Sequence, residues 1–209
     1  MASGVVHLAV VHEMMKRRSF RDPARLKFGA LLPDAGDRGG RRSHLRISFE
    51  DGRRSYDFEG FRRLFGSRMR EDDLYLGYYL HLVQDALYRH FVYGRYRWDP
   101  RAPGNIDRLH RDYELVNGYV ISRYALVNDL AVPEGFEREA LCGLCSFDTA
   151  GLLNDAEAWF GPAGEGEIFF FTAEMSDEYI SEAAAFCLEE IERIEKGAPG
   201  LDARAIAWS

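Results

Sequence analysis

Histidine and aspartate recur at helical spacing in one strongly apolar stretch of the sequence, residues 72–93. His81 and Asp85 lie four residues apart, so both project from the same face of a helix. Apolar residues surround them on nearly every side of the predicted helix, and such a helix is normally buried. A buried carboxylate without a partner costs several kcal/mol or changes its protonation state. An imidazole and a carboxylate in these surroundings therefore indicate a site for a divalent metal ion.

Other histidine and aspartate residues in apolar segments or turns could complete such a site. His7 lies in an apolar predicted helix, Asp34 follows an apolar segment at a Pro-Asp turn, and His44 follows a segment rich in glycine and arginine. Zinc binds histidine nitrogen and aspartate oxygen, usually with four ligands, and a catalytic site leaves one position open. Asp85 could use both carboxylate oxygens to bridge two ions roughly 3.5–4 Å apart, the spacing of two-metal phosphoesterases.

A second group of candidate ligands follows the central stretch. His90 comes shortly after it, and His110 and Glu114 are again four residues apart on a predicted helix. These three residues could hold another metal ion. Alternatively, they are exposed or form ordinary surface ion pairs, which contribute little to stability.

Three arginines, Arg38, Arg41 and Arg42, lie in the glycine-rich segment that precedes His44. A guanidinium group can bind a phosphate group through two parallel hydrogen bonds. Arg41 and Arg42 are therefore candidate substrate-binding residues beside the predicted metal site. The alternative is a solvated run of charge with no ligand.

The elements that must position these residues are mainly helices. Because we find no internal repeat and no linker, we predict one helical domain, residues 1–209, of an all-α class. Segment 47–56 alternates around an Asp-Gly pair, which predicts one small β-hairpin. Helices are predicted at residues 5–16, 23–28, 58–65, 72–93, 107–126, 136–144 and 148–159, and from 177 to 197 with Ser176 as its cap.

The charge of the chain is unevenly distributed. The formal net charge is −7, yet residues 1–70 carry +8 and residues 71–209 carry −15. The basic part could attract an anionic ligand, whereas overall acidity and the lack of a known motif speak against stable nucleic-acid binding. No apolar run reaches the ~20 residues that span a bilayer. The first residues also lack the order of charged and apolar segments of a secretory signal, so we predict a cytoplasmic protein.

The order of the candidate ligands resembles that of the bacterial zinc-dependent phospholipase C superfamily. The resemblance rests on His7, Pro33-Asp34, Ser43-His44 and above all the stretch from Tyr75 to Asp85, YLGYYLHLVQD. It covers roughly residues 5–120 and is closest to short, uncharacterised bacterial members. The resemblance implies an all-α bundle of the phospholipase C/P1 nuclease type.

The resemblance also implies eight metal ligands: His7, Asp34, His44, His81, Asp85, His90, His110 and Glu114. A first zinc ion would be held by Asp34, His44, His81 and Asp85, and a second would be shared by His7 and Asp85. The remaining site of the family would correspond to His90, His110 and Glu114. Three features depart from the family. Its secreted enzymes bind metal through an N-terminal tryptophan, where this chain has six residues before His7. His90 follows Asp85 by five residues, one fewer than the family pattern, and His90 and His110 are farther apart than the matching pair. We therefore expect one to three ions, with one or two favoured over three.

These observations predict a metal-dependent phosphoester hydrolase that uses an activated water, with Asp34 or Asp85 as the proton acceptor. A small phosphoester or a phospholipid head group would be the substrate. The alternative is a catalytically inactive metal-binding or scaffold protein with the same fold. A third interpretation is a buried polar network without metal. Nickel or iron could replace zinc, because histidine and carboxylate ligands are not selective by themselves.

Overall fold

The structure is a computed structural model that describes residues 2–36, 41–162 and 164–208. Within these ranges, seven α-helices and one two-stranded β-hairpin make up the regular structure. The predicted all-α class with one small hairpin is therefore confirmed. The elements are α1 (Gly4–Arg17), α2 (Pro23–Leu31), β1 (Arg46–Ser48), β2 (Arg54–Tyr56), α3 (Phe58–Glu71), α4 (Asp73–Arg89), α5 (Asn105–Tyr124), α6 (Thr149–Trp159) and α7 (Ala173–Glu195).

Helix α4 lies at the centre of the fold. Fifteen of its 17 residues are buried, as the apolar pattern predicts, and it packs against α2, α3 and α7. Its first turn is capped by the Asp72 carboxylate, which accepts a hydrogen bond from the Leu74 backbone N–H. A helix buried on every side must satisfy its polar side chains inside the protein. The neighbours of α4 therefore decide what its histidine and aspartate can bind.

Two glycines allow α2 and α4 to cross at very short range. A Cβ atom on Gly77 would lie 2.3 Å from the Leu26 carbonyl oxygen, and one on Gly29 would lie 2.2 Å from the Leu74 carbonyl oxygen. Any side chain at either position would push the two helix backbones apart. The close crossing brings the end of α2 against the middle of α4, where the candidate ligands lie.

The hairpin forms at the predicted Asp-Gly turn. Strands β1 and β2 pair in antiparallel register, with Arg46 opposite Tyr56 and Ser48 opposite Arg54. Gly52 adopts a φ of +82°, a left-handed conformation that glycine takes without steric cost. The hairpin follows His44 directly and so fixes the end of the segment that carries this histidine.

Several predicted boundaries are wrong for local reasons. Helix α3 continues past Gly66 to Glu71, since Gly66 keeps a helical backbone and does not end the helix. Residues 136–144 form two short 3-10 turns instead of one α-helix. Helix α7 begins four residues before the predicted start, because Thr172 and not Ser176 provides the capping oxygen.

The structure also adds a π-helical turn, His90–Arg95, directly after α4. The last described residues are packed against the hairpin, because Trp208 exchanges two backbone hydrogen bonds with Arg54 of β2. None of the described helices combines the length and the apolar character required to cross a membrane.

Candidate metal centre

Five of the eight predicted ligands meet beside α4. His81 and Asp85 come from α4 itself, and His7 comes from α1. Asp34 lies in a 3-10 turn, Leu32–Ala35, that continues α2, and His44 lies in the segment before β1. Two overlapping groups have ligand atoms within 4.8 Å of one another, namely His7, Asp34 and His81, and His44, His81 and Asp85. Buried histidine and aspartate groups that could hold a metal ion are thus present.

His44 lies in the middle of the arrangement. Its Nε2 atom is 3.1 Å from Nε2 of His81, 3.3 Å from Oδ1 of Asp34 and 3.5 Å from Oδ2 of Asp85. Nε2 of His81 is 3.7 Å from Oδ1 of Asp34 and 3.9 Å from Oδ2 of Asp85. Two nitrogens and two carboxylate oxygens therefore face one another over distances that a single cation could bridge.

His7 approaches the other oxygen of the same carboxylate. Its Nε2 atom lies 3.5 Å from Oδ1 of Asp85, which is too long for a good hydrogen bond. Both atoms are buried and lack a hydrogen-bond partner among the described residues. The His7 ring also stacks on the His81 ring, with centroids 4.3 Å apart. Two unpartnered buried ligand atoms side by side are costly in a protein interior unless an ion or a proton satisfies them.

The far nitrogens of the three rings have partners that orient the rings. Nδ1 of His81 donates to the Ala30 carbonyl oxygen over 2.8 Å, so the lone pair of His81 is on Nε2. Nδ1 of His7 is 2.9 Å from Oε1 of Gln84, and Nδ1 of His44 is 3.2 Å from Oγ of Ser43. Metal-binding histidines commonly have such a second partner, which fixes the ring and its tautomer.

Tyr56 connects the centre to the outer end of α4. Its buried hydroxyl group donates to Oδ2 of Asp85 over 3.1 Å and accepts from Nε of Arg89 over 3.2 Å. Burial and the Asp85 carboxylate raise the pKa of Tyr56 well above its ordinary value, so this residue remains a neutral donor. Asp85 therefore lies beside three imidazoles, two near Oδ2 and one near Oδ1, and accepts a hydrogen bond from one phenol.

The electrostatics of the group favour ionised carboxylates. Burial alone would raise the pKa of Asp85, but the contacts with His7, His81 and His44 lower it well below its ordinary value. Burial likewise opposes ionisation of Asp34, and the nearby His81 and His44 lower its pKa in spite of that. The centre therefore holds two negative charges, which a divalent cation would neutralise.

The histidines of the centre differ from one another. Burial and the neighbouring His7 lower the pKa of His81 to about 4, so this ring is neutral at physiological pH. Burial would also lower the pKa of His7, but Asp85 and Asp34 outweigh burial and raise it. His7 is thus the ring that carries a proton when no other cation neutralises Asp85.

Only one of the five side chains reaches solvent. The side chain of Asp34 is 23% exposed, whereas those of His7, His44, His81 and Asp85 are at most 1% exposed. Asp34 therefore marks the side from which water or a ligand enters.

The remaining predicted ligands lie outside this centre. Nε2 of His90 lies 2.9 Å from the carbonyl oxygen of Ile206, in the C-terminal segment. His110 and Glu114 are exposed on α5, and Glu114 pairs with Arg111. None of the three belongs to a group of potential ligands among the described residues. The α5 pair shares one helix face as its spacing predicts, but that face is turned to solvent.

The predicted substrate-binding arginines, Arg41 and Arg42, are exposed in the segment that leads to His44. Their carbonyl oxygens accept hydrogen bonds from the backbones of Arg46 and Leu45, which fold this segment into a compact turn. Arg38, the third arginine of the run, lies outside the described residues.

Sequence reasoning missed the groups that orient the ligands. Gln84 is visible as a polar residue on an apolar helix, and this is the signal that could have identified it. Tyr56 gives no such signal, because a tyrosine at the end of a strand is ordinary core composition. The Ala30 carbonyl oxygen becomes available only where the helix ends, since the final carbonyl groups of a helix lack partners within it.

Comparison of the chain with models of protein families, with curated proteins and with solved structures finds no match.

Proposed function

We propose that this protein is a metal-dependent phosphoester hydrolase whose zinc ions are held by His7, Asp34, His44, His81 and Asp85. The observation that supports this most strongly is the set of inward-facing ligand atoms. Three imidazole Nε2 atoms and two ionised carboxylates converge, and two of the atoms, Nε2 of His7 and Oδ1 of Asp85, have no other partner among the described residues.

The donor set suits zinc. Histidine nitrogen and carboxylate oxygen are common zinc ligands, and the number of ligand atoms here is sufficient for one ion or a bridged pair. Asp85 is the natural bridging residue, because its two oxygens face different histidines. The resemblance to zinc-dependent phospholipases C points to the same metal. Nickel or iron would use the same ligands, so metal identity is a question for analysis of the purified protein.

A bound metal would lower the pKa of a water molecule and offset negative charge on phosphoryl oxygens. The protein's own residues would provide the remaining steps. Asp34 lies at the exposed side of the centre, where its second oxygen can accept a proton from an entering water. Asp85 and its Tyr56 partner keep the buried side of the centre fixed. Arg41 and Arg42, on the segment before His44, would bind the phosphate group of the substrate.

A second candidate is a metal-binding or scaffold protein without turnover. The burial of four of the five side chains favours it, because a substrate could reach the centre only past Asp34. Both candidates bind metal, so metal analysis cannot separate them.

Hydrolysis of bis-p-nitrophenyl phosphate and of p-nitrophenyl phosphorylcholine, with and without a chelator, separates the two functions. The hydrolase proposal predicts release of p-nitrophenol that the chelator abolishes and zinc restores. Asp85→Ala should remove it, and Asp34→Asn should lower it in a protein that keeps its fold. His110→Ala, on the exposed face of α5, is the matched control and should keep full activity. Metal-loaded protein that releases no product from any mono- or diester would favour the scaffold.

A further inference from the structure

A large cleft is lined in part by Arg89, which donates a hydrogen bond to Tyr56, the tyrosine that donates to Asp85. It has a volume of about 630 Å³ and is bounded by the hairpin, the π-helical turn after α4, the loop at residues 97–101 and the segment at Trp208. Cavities of roughly 300–1,000 Å³ are the usual size for small-molecule sites. The lining residues do not include any of the five candidate metal ligands, so this cleft is a separate feature.

The lining of the cleft is strongly basic. It contains five arginines, Arg46, Arg54, Arg89, Arg97 and Arg101, and a single carboxylate, that of Asp99. The chain as a whole is acidic, with a net charge of −7, so this concentration of positive charge does not follow from average composition. A cleft lined by charge of one sign attracts ligands of the opposite sign.

Four of the five arginines that line the cleft have no neighbouring carboxylate as an ion-pair partner among the described residues. Arg54, Arg89, Arg97 and Arg101 form no ion pair within the part of the chain that the structure describes. Arg95, in the same segment but outside the cleft, pairs with both Glu178 and Glu182. Carboxylates are therefore available near this part of the chain, but they pair with Arg95 and not with the arginines that line the cleft.

Arg89 is held in position for a ligand. Its Nε atom donates to the Tyr56 hydroxyl group, and its guanidinium plane lies over the Trp208 ring, 4.3 Å from the centroid. These contacts leave the two terminal NH₂ groups of Arg89 without a partner among the described residues. A guanidinium group with fixed orientation and free terminal nitrogens matches two oxygens of a phosphate group.

The hairpin places two further arginines on one face. Arg46 pairs with Tyr56, and Arg54 lies two residues before Tyr56 on the same strand, so Arg46 and Arg54 are diagonal neighbours. Both residues line the cleft, so the hairpin contributes two guanidinium groups to one wall of it.

The loop that closes the cleft has an unusual backbone. Arg97 adopts a φ of +54°, which is uncommon for a residue with a side chain and is concentrated at ligand sites. The following residue, Trp98, is fixed by a backbone hydrogen bond to Val92 and by stacking of its ring on Phe170. Its indole N–H is buried and has no acceptor within the described ranges, and its ring belongs to the cleft lining.

We propose that this cleft binds the oligophosphate group of a small molecule. The positive charge of the lining favours a multiply charged anion, and the fixed guanidinium group of Arg89 matches phosphate oxygens. Inorganic tripolyphosphate and a nucleoside triphosphate share this chemistry. They differ in whether an aromatic base also contacts the rings of Trp98, Trp208 and Tyr93 that line the cleft.

Gly94 offers a sharp test because it lines the cleft and a Cβ atom there would have no neighbour within 4 Å. Gly94→Glu adds a carboxylate to the wall, and Gly94→Gln adds a neutral side chain of the same shape. Binding of tripolyphosphate, ATP and adenosine to the full-length protein is measured by titration calorimetry at about 0.1 M salt, where charges remain attractive over roughly 10 Å. We expect tripolyphosphate and ATP to bind and adenosine not to bind.

The variants decide where the ligand lies. Gly94→Glu and Arg89→Gln should each weaken tripolyphosphate binding about tenfold or more, while Gly94→Gln should change it less than about threefold. Tighter binding of ATP than of tripolyphosphate would show that the adenine base contacts the aromatic residues of the cleft. Equal binding would show that the cleft recognises the phosphate chain alone. Absence of binding at millimolar concentration would overturn the proposal. Binding that Gly94→Glu and Arg89→Gln leave unchanged would also overturn it, because the anion would then lie at the metal centre or elsewhere.

Discussion

The Nε2 atoms of His44 and His81 lie 3.1 Å apart in the interior of the protein. Because Nδ1 of His81 donates to the Ala30 carbonyl oxygen, its Nε2 atom faces His44 with a lone pair. This approach is favourable only if a proton or a cation lies between the nitrogens or beside them. Oxygens of Asp34 and Asp85, 3.3 and 3.5 Å from Nε2 of His44, provide the charge that would hold such a cation.

Zinc should stabilise the folded protein. A ligand that binds only the native state at about 1,000 times its Kd adds about 4 kcal/mol to the free energy of unfolding. For a domain of this size, this corresponds to a rise in Tm on the order of 10 °C, which scanning calorimetry with zinc or with a chelator can measure. Asp85→Asn should abolish the rise, and His110→Ala should keep it. An equal rise in Asp85→Asn would contradict the assignment of the ligands.

Gln84 should act as a positioning residue for His7. Its Oε1 atom lies 2.9 Å from Nδ1 of His7, and loss of such a partner typically lowers metal affinity about 10- to 100-fold. We expect Gln84→Leu to show this loss in competition with a zinc indicator. Gln84→Glu retains an acceptor oxygen for the imidazole N–H and should restore most of the affinity. A merely structural role would leave both variants with the same affinity at matched stability.

Metal binding should release a proton from His7. Burial lowers the pKa of this residue, but Asp85 and Asp34 outweigh burial and raise it above 6.5, so His7 is protonated near pH 6.5 in the metal-free protein. A metal ligand must be deprotonated, and the proton is therefore displaced. His81 releases no proton near pH 6.5, because its pKa is about 4 and the ring is already neutral.

Calorimetric titration with zinc in buffers of different ionisation enthalpy measures this proton. Near pH 6.5, the ordinary pKa of histidine, His7→Gln should release fewer protons than the wild type. Since the raised pKa belongs to the metal-free form, the release should decline as the pH rises through that value, and apparent affinity should increase. Identical heats in all buffers for the wild type would contradict a protonated His7.

The raised pKa of His7 and the lowered pKa of His81 have opposite effects on how the stability of the metal-free protein depends on pH. A raised pKa makes His7 stabilising below pH 6.5, and this contribution disappears as the pH rises through the folded-state value. The lowered pKa makes neutral His81 favourable above pH 6.5, and stability falls as the pH drops from 6.5 towards 4.

The close crossing of α2 and α4 should be necessary for the centre. Gly77→Ala places a Cβ atom 2.3 Å from the Leu26 carbonyl oxygen, so the helices must separate at a cost of about 1–3 kcal/mol. The separation moves the Ala30 carbonyl oxygen away from His81 and should also weaken zinc binding. Chemical denaturation and zinc titration measure the two effects.

Gly66 provides the matched control for this substitution. It lies in α3, and a Cβ atom added there would have no neighbour within 4 Å. Gly66→Ala should therefore leave zinc binding unchanged and stabilise α3 by up to about 1 kcal/mol. Equal destabilisation by the two substitutions would show that the crossing is not specially close.

The sequence was most informative about features that depend on the residues of a single element. The burial of α4 follows from apolar residues on all its sides, and the hairpin follows from an Asp-Gly pair that needs left-handed backbone. Buried histidine and aspartate residues that could hold a metal were predictable for the same reason, since a polar residue on an all-apolar helix must find a partner inside.

Features that depend on distant parts of the chain were not predictable. The partner of His90 is a carbonyl group 116 residues away, in the C-terminal segment. The end of α3 depends on the backbone conformation of Gly66, which residue type alone does not determine. The arginine cleft is formed by a hairpin, a π-helical turn, a loop and the last described segment. No local sequence pattern predicts that these four elements meet.

Metal content tests the central claim most directly. Untagged protein, purified without added metal and without chelator, is analysed for transition metals by inductively coupled plasma mass spectrometry. We predict at least about one equivalent of zinc or a similar metal in the wild type and in His110→Ala, and a large loss in His81→Ala and Asp85→Asn. Less than about one-tenth of an equivalent in the wild type, with no uptake from added zinc, would show that these residues form a polar network without metal.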